Sequence, residues 1–196
     1  HLLYTRFLSM VFYDLGLVNF SAKGGLADEP FAKFRAHGLL ISGGAKMSKS
    51  RGNVVVPDAY IDKYGADTLR CYLMFCGQFT QGGDFRDTGI SGMHRFLKRV
   101  WTLVQENSKF EIILTKGLKS RNSKLGSEAA HMIHKTIKKV GKDIEDLSYN
   151  TAISALMIWL NDMETRLGKL SREEVETFLK LLAPFAPYMT EELWQQ

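Results

Sequence analysis

The spacing of apolar residues in the second half of the chain is its strongest constraint on fold. From about residue 87 onward, apolar side chains recur every three or four positions in three successive segments. The three sets are Ile90, Met93, Leu97, Val100 and Val104; Ile133, Ile137, Val140, Ile144 and Leu147; and Ile153, Leu156, Leu160, Met163 and Leu167. Such spacing gives each helix one apolar face that packs against neighbouring helices. The pattern predicts an antiparallel bundle of helices.

Residues that start and end helices indicate a fourth helix in this bundle. Gly168 is placed to end the third helix. Ser171 and Glu174 have the spacing of a capping box, which marks the start of the fourth. Pro184 and Pro187 end that helix, because proline interrupts the backbone hydrogen-bond ladder. We therefore predict four helices and a short fifth one at the end of the chain.

The first 86 residues follow a different pattern, in which short apolar runs alternate with glycine-rich breaks. An apolar helix is predicted from Leu2 to Gly16, and a buried strand from Phe34 to Ile41. The other predictions for this part are a strand at 54–56, helices at 57–64 and 66–75, and an irregular segment at 77–84. The mixture predicts an α/β domain over residues 1–86 and an all-α bundle over residues 87–196, in a chain that is mostly helical overall.

Composition excludes several classes of protein. Charged residues make up 24% of the chain, which argues against a disordered or fibrous protein. The apolar stretches are too short to span a bilayer, so no membrane partner is expected. Cys71 and Cys76 lie five positions apart in a predicted helix, a spacing that suits neither a disulfide nor a metal site. We interpret them as reduced thiols of a cytoplasmic protein, and we expect no protein-bound metal.

Charge is distributed unevenly along the sequence. Between Arg95 and Lys142, twelve lysine and arginine residues oppose three acidic ones, whereas from Asp143 to the end four oppose ten. Segregated charge is typical of a protein with a polyanionic partner. Part of the excess is a stripe on the second predicted bundle helix, opposite its apolar face: Lys135, Lys138, Lys139 and Lys142. A solvated helix face without a partner is the alternative interpretation.

One basic loop carries most of the functional information. It reads Lys46-Met47-Ser48-Lys49-Ser50 and is followed by Gly52. Two ammonium groups, hydroxyls and backbone amides at this spacing suit a triphosphate, because they neutralise charge and donate to phosphate oxygens. The G-x-x-x-x-G-K-[ST] pattern of a Walker A loop is absent. An exposed basic loop with no ligand is the alternative.

These five letters match the second signature of the class I aminoacyl-tRNA synthetases. Residues 46–70, KMSKSRGNVVVPDAYIDKYGADTLR, resemble the signature loop and following helix of the leucyl, valyl, isoleucyl and methionyl group. HLLYTRF at 1–7 and GISGMHRFLKRVW at 89–101 resemble the bacterial leucyl type, and LAPFAPYMTEELW at 182–194 is similar to a segment of the leucyl, valyl and isoleucyl enzymes. The resemblance covers nearly the whole chain except 109–124.

The resemblance implies a fold and a reaction. Residues 1–86 would be the C-terminal portion of a Rossmann-like catalytic domain with a stem-contact unit. The family joins leucine to the α-phosphate of ATP, supplied with Mg²⁺, and passes the leucyl group to tRNA(Leu). Lys46 and Lys49 would be catalytic, stabilising charge on the departing pyrophosphate. The whole loop would bind ATP, through Lys46, Met47, Ser48, Lys49 and Ser50. His1 would lie near the amino-acid pocket.

The resemblance also implies an RNA partner for the bundle, which would dock the anticodon-stem side of tRNA(Leu) through phosphate contacts. The residues expected to make them are Arg95, Lys98, Arg99, Lys135, Lys138, Lys139 and Lys142. We interpret Trp101, Trp159 and Trp194 as core residues rather than base-stacking platforms. A monomer in the cytoplasm is expected.

Some family features are absent from this sequence. It has no His-x-Gly-His signature and no inserted editing domain, and it starts at His1 without a methionine. We therefore expect a fragment of a longer ligase, inactive alone. Gln78 stands where a proline is common in the family, and Phe85 where a tryptophan is common. Two alternatives remain: a non-catalytic RNA-binding module that has kept the loop, and a fragment of a valyl or isoleucyl enzyme.

Overall fold

The computed structural model describes residues 2–21, 28–31, 33–117, 127–167 and 170–196, with no side-chain description at 108–117 and 127–128. The chain comprises two compact units, residues 1–36 and residues 37–196. His1, Gly168 and residues 118–124 therefore lie outside the described residues. The predicted functional division at about residue 86 stays a prediction.

The first unit contains helix α1, Leu2–Asp14, which matches the predicted helix closely. Gly16 follows with a φ of 69°, a left-handed conformation that glycine adopts without strain and that ends the helix. The Nε atom of Arg6 donates to Glu29 at 2.8 Å, which ties the helix to the segment at 28–31. Several apolar residues of α1 are exposed, including Leu3 at 78% and Phe7 at 63%.

The second unit opens with a three-stranded sheet in the order β2-β1-β3. The strands are β1, Leu40–Ser42; β2, Ala45–Lys46; and β3, Gly83–Phe85. Strands β1 and β2 form an antiparallel hairpin around Gly43 and Gly44, which have φ values of 61° and 75°. Positive φ at both central residues is the geometry that a tight hairpin requires.

The strand predicted at 34–41 forms only from Leu40 onward, the strand predicted at 54–56 was wrong, and strands β2 and β3 were missed. Residues 33–39 form no strand, and residues 54–56 form none. Strand β3 pairs in parallel with β1, in the segment predicted to be irregular. This pairing depends on Gly82, where an added Cβ would lie 2.0 Å from the carbonyl oxygen of Leu39. A short segment becomes a strand only where a partner edge is available, which local residue pattern does not reveal.

Seven helices follow β2 within the described residues. Their bounds are α2, Pro57–Tyr64; α3, Ala66–Phe75; α4, Asp87–Gly117; α5, Ser127–Glu145; α6, Tyr149–Thr165; α7, Arg172–Leu182; and α8, Pro187–Gln195. Helices α4 to α7 with the short α8 confirm the predicted bundle of four helices and a short fifth. The predicted fold class, a small α/β part followed by helices, is confirmed. Helices α2 and α8 each begin with a proline. The missing proline N–H loses no hydrogen bond there, because the first N–H groups of a helix have no partner within it.

The core of the bundle confirms the predicted apolar stripes of α4 and most of α6. The five predicted α4 residues are at most 5% exposed, and Ile153, Leu156, Leu160 and Met163 are fully buried. The α5 stripe is partly wrong, since Ile137 is 38% exposed whereas Thr136 and Asp143 are buried. Two buried polar residues thus share the inner face of α5, a pattern that a count of apolar residues does not find.

The capping box predicted at Ser171 is half formed. Its hydroxyl accepts the Glu174 N–H at 3.1 Å, as predicted. The Glu174 carboxylate does not turn back to the cap; instead it accepts from Arg166 and, at 3.3 Å, from Trp159.

Trp159 is a core residue, as predicted, but Trp101 and Trp194 are 37% and 44% exposed, so the interpretation of all three as core was wrong for two.

Candidate nucleotide-binding loop and basic helix faces

The basic loop is a short connection between β2 and the segment that leads to α2. Ser48 is extended, with φ −149° and ψ 136°, and a 3₁₀ turn then runs over Lys49–Arg51. The Arg51 N–H donates to the Ser48 carbonyl at 3.1 Å, and Gly52 ends the turn with a φ of 66°. Gly52 adopts this left-handed conformation readily because it has no Cβ. The turn places consecutive polar and basic side chains at an exposed apex.

Side-chain hydrogen bonds close the base of this loop. The Asn53 Oδ1 atom accepts from the Ser48 N–H at 2.8 Å, and its Nδ2 atom donates to the Lys46 carbonyl at 3.2 Å. The Ser48 and Ser50 hydroxyls lie 2.8 Å apart, within hydrogen-bond distance. Asn53 was not among the site residues predicted from the sequence. An asparagine directly after a glycine that ends a turn was the available signal, because its amide commonly bonds to nearby backbone.

The loop is anchored in the core on both sides, while its charges are left exposed. Met47 and Val55 pack partly buried against the hydrophobic core. Lys46 and Lys49 are exposed, and neither forms an ion pair with a described residue. Two uncommitted ammonium groups on an anchored loop can neutralise an anionic group such as a polyphosphate.

Aromatic contacts join this region to the bundle. Phe85 of β3 is buried between two tyrosine rings, with centroids 4.9 Å from Tyr60 and 5.1 Å from Tyr72. The Tyr60 hydroxyl donates to Asp87 at 2.7 Å, and this hydrogen bond raises the pKa of Tyr60. Burial raises the pKa of Tyr72 to about 12, and its hydroxyl bonds to the backbone of Arg86. Direct ring contacts and hydrogen bonds therefore connect the sheet edge to the start of α4.

Cysteine and acidic residues provide no metal centre in the described part of the chain. No group of three or more His, Cys, Asp or Glu side chains there could hold an ion. Both cysteines are free thiols. Burial raises the pKa of Cys71 to about 12 and also raises the pKa of Cys76.

Across the described residues, no helix is long and apolar enough to cross a membrane.

The basic stripe of α5 is exposed along its length. Two of its lysines bond to aspartates, and the other two have no described ion-pair partner. Lys139 donates to Asp143 at 2.6 Å, and Lys142 donates to Asp146 at 2.9 Å. The Asp146 contact raises the pKa of Lys142. Among the described residues, Lys135 and Lys138 form no ion pair. The two lysines nearer the start of the helix are therefore the ones available to an external anion.

The basic residues predicted on α4 lie together around a cavity. Arg95, Lys98 and Arg99 line this space of about 450 Å³ with Glu164 and other residues. Arg99 is already engaged, since its Nε atom donates to Glu164 at 2.9 Å and its guanidinium donates to Asn161 at 2.6 Å. The bond to Glu164 raises the pKa of Arg99. The structure thus brings Arg95, Lys98 and Arg99 together. It also pairs Arg99 with Glu164, a contact that was not predicted from the sequence.

Comparison with known families and proteins gives two domain matches. Residues 8–85 match the family described as tRNA synthetases class I (I, L, M and V). Residues 127–196 match the anticodon-binding domain of tRNA ligase. The loop at 46–50 lies inside the first match, and the α5 stripe lies inside the second.

Individual relatives match the chain from end to end. Leucine–tRNA ligase of Chlorobium chlorochromatii strain CaD3 is 44% identical over 197 residues, covering all of this chain and 23% of the relative. Leucine–tRNA ligase of Thermotoga maritima is 41% identical, covering 99% of this chain and 24% of the relative. A crystal structure of Agrobacterium radiobacter K84 agnB2 LeuRS, in a ternary complex with tRNA and LeuAMS, has a TM-score of 0.80 and 31% identity, covering all of this chain and 25% of that one.

Fold and matches together define the class: the chain carries domains of the class I tRNA synthetases. The relatives described above are leucine–tRNA ligases that match it along essentially its whole length, and the chain spans about a quarter of the length of each. The resemblance derived from the signature loop and its neighbouring segments is confirmed at this level.

Proposed function

We propose that this chain is part of a leucine–tRNA ligase, in which the loop at 46–50 serves leucine activation and the bundle docks tRNA(Leu). One observation carries the proposal for the loop. Lys46 and Lys49 are exposed and without described carboxylate partners, on a loop anchored by core packing at both sides. Homology to leucine–tRNA ligases supplies the substrates: leucine, ATP with Mg²⁺, and tRNA(Leu).

In the proposed reaction, a leucine carboxylate oxygen attacks the α-phosphorus of ATP. The bond between that phosphorus and the bridging oxygen breaks, leucyl adenylate forms, and pyrophosphate leaves with the electron pair. Negative charge grows on the leaving group, so fixed ammonium groups stabilise the transition state more than bound ATP. Lys49 and Lys46 take this role, while Ser48, Ser50 and the backbone at Met47 contact ATP. A terminal ribose hydroxyl of tRNA then attacks the leucyl carbonyl and releases AMP.

The proposed role of the bundle is phosphate contact along the tRNA. Lys135 and Lys138 are its main candidates, because both are exposed and neither is paired within the described residues. Arg95 and Lys98 are candidates on α4, while Arg99, Lys139 and Lys142 contribute less because acids neutralise them locally. We place the functional boundary between the two roles at about residue 86. A cytoplasmic, monomeric ligase is the state we expect.

The test is amino-acid-dependent exchange of pyrophosphate into ATP by the full-length protein that contains this chain. We expect exchange with leucine and much slower exchange with valine or isoleucine. Faster exchange with valine or isoleucine would assign the chain to one of those enzymes instead. Binding of tRNA without exchange for any of the three amino acids would identify a non-catalytic RNA-binding module.

A further inference from the structure

The side-chain amide of Asn53 bridges the two ends of the segment that precedes the 3₁₀ turn. Its Oδ1 atom accepts from the Ser48 N–H at 2.8 Å, and its Nδ2 atom donates to the Lys46 carbonyl at 3.2 Å. One planar group thus pairs with two backbone groups on either side of Met47. An asparagine amide can do this because it carries both a donor and an acceptor.

The two bonds hold the backbone at Lys46 and Ser48, from which the turn leaves the sheet. Lys49 follows Ser48 directly, and the turn begins from the extended backbone of Ser48. Whatever fixes the Ser48 peptide therefore fixes the starting point of the Lys49 side chain. Lys46 is placed differently, since it still belongs to strand β2 and pairs with Ile41 of β1. The amide consequently acts on Lys49 more than on Lys46.

We infer that Asn53 is a positioning residue for leucine activation, holding Lys49 where it can stabilise the departing pyrophosphate. This inference rests on the proposed function of the loop. Asn53 need not touch ATP; it preorganises a charged group that does. Preorganisation matters because a charge that must first be reoriented gives up part of its stabilising effect on the transition state.

Single-turnover formation of leucyl adenylate by the full-length ligase tests this inference. Asn53→Ala removes both bonds and should slow adenylate formation by about tenfold, the loss expected for two ordinary hydrogen bonds. Leucine affinity and transfer from preformed adenylate to tRNA should stay unchanged. Asn53→Asp keeps an acceptor for Ser48 but has no N–H for the Lys46 carbonyl, so it should also be slow. Gln195→Ala, which removes a surface amide bonded to Glu191 at 2.7 Å, is the matched control and should keep the full rate.

A double-mutant cycle shows whether Asn53 acts through Lys49. If it does, Asn53→Ala costs about tenfold when Lys49 is present and less than about twofold in a Lys49→Ala background, because coupled residues are non-additive. An equal loss in both backgrounds would mean that Asn53 supports the fold generally, and would overturn the inference. A wild-type rate for Asn53→Ala or Asn53→Asp would overturn it too. Slow activation in Lys49→Ala with normal activation in Asn53→Ala would reject the positioning role of Asn53 but keep the proposed function of the loop. A normal rate in Lys49→Ala would reject both.

Discussion

Lys49 lies at the exposed start of the 3₁₀ turn, with its charge uncommitted to any described residue. Lys49→Ala in the full-length ligase should slow leucine activation by about a hundredfold, corresponding to about 3 kcal/mol of lost charge stabilisation. Lys49→Arg should restore part of the rate, because a planar guanidinium fork replaces a compact ammonium poorly. The measurement is single-turnover activation beside single-turnover transfer from preformed adenylate, which should be little affected.

Lys63→Ala is the control for Lys49. The Lys63 ammonium lies 5.0 Å from the centroid of the Tyr64 ring, so the substitution removes the same charge from a neighbouring helix. Its activation rate should match that of the unmodified ligase. Equal slowing of activation and transfer by Lys49→Ala would assign Lys49 to loop structure instead of leaving-group stabilisation.

The buried Cys71 thiol should make the stability of the folded chain fall at alkaline pH. Burial raises its pKa from 9.0 to about 12, so the folded chain keeps the proton that the unfolded chain releases above pH 9. The stabilising contribution is therefore complete below pH 9 and declines as pH rises towards 12. Between pH 7.5 and 10.5 the free energy of unfolding should fall by about 1 to 2 kcal/mol more in the unmodified chain than in Cys71→Ala. Urea unfolding at both pH values measures this difference, and equal losses would contradict it.

At the scale of elements, α5 carries the clearest candidate surface for RNA. Lys135→Ala with Lys138→Ala should weaken binding of tRNA(Leu) and lower the slope of log affinity against log salt by up to about two units, about one for each lost phosphate contact. Filter binding over a range of salt concentrations measures both quantities. The double variant Lys63→Ala with Lys180→Ala removes two lysines that lie over aromatic rings and should leave the slope unchanged. An unchanged slope for the α5 pair would show its stripe to be a solvated face.

A buried ionic contact joins Arg166, the residue directly after α6, to α7. The Glu174 side chain is fully buried and accepts from Arg166 at 3.0 Å, and Arg166 also pairs with Asp162. Arg166→Ala would leave the Glu174 charge without its main partner, which should cost about 3 to 5 kcal/mol of stability. Denaturant unfolding of the chain measures this loss. Lys142→Ala, which breaks the exposed pair with Asp146, should change stability little, and similar losses in both variants would contradict the importance of burial.

At the scale of the whole molecule, the 196-residue chain spans about a quarter of its leucine–tRNA ligase relatives. Expressed alone, it should not catalyse leucine-dependent exchange of pyrophosphate into ATP. Activation requires leucine and ATP to be held in line, and in the proposed function the loop at 46–50 would stabilise only the leaving group. The full-length protein under the same conditions is the control. Robust exchange by the isolated chain would show that it contains a complete site.

Several features were predictable from sequence because they depend on local backbone geometry. The apolar spacing of α4 and α6 identified faces that are buried in the fold. Pro57 and Gly65 marked the limits of α2, since each restricts or frees the backbone at its own position. The loop at 46–50 was recognisable because its chemistry lies in five consecutive residues. Periodicity, turn residues and contiguous motifs are readable without knowing which distant segments meet.

Other features were decided only by tertiary structure, because they depend on which distant segments meet. The parallel pairing of β1 with β3 joins Leu40 to Gly83, and no local pattern announces it. The same is true of Glu164, which lies 65 positions from Arg99 and neutralises a predicted tRNA contact. Sequence determined the elements and the chemical groups of this protein. Packing determined which of those groups remained free, because a charge is paired or left available by the neighbours that the fold brings to it.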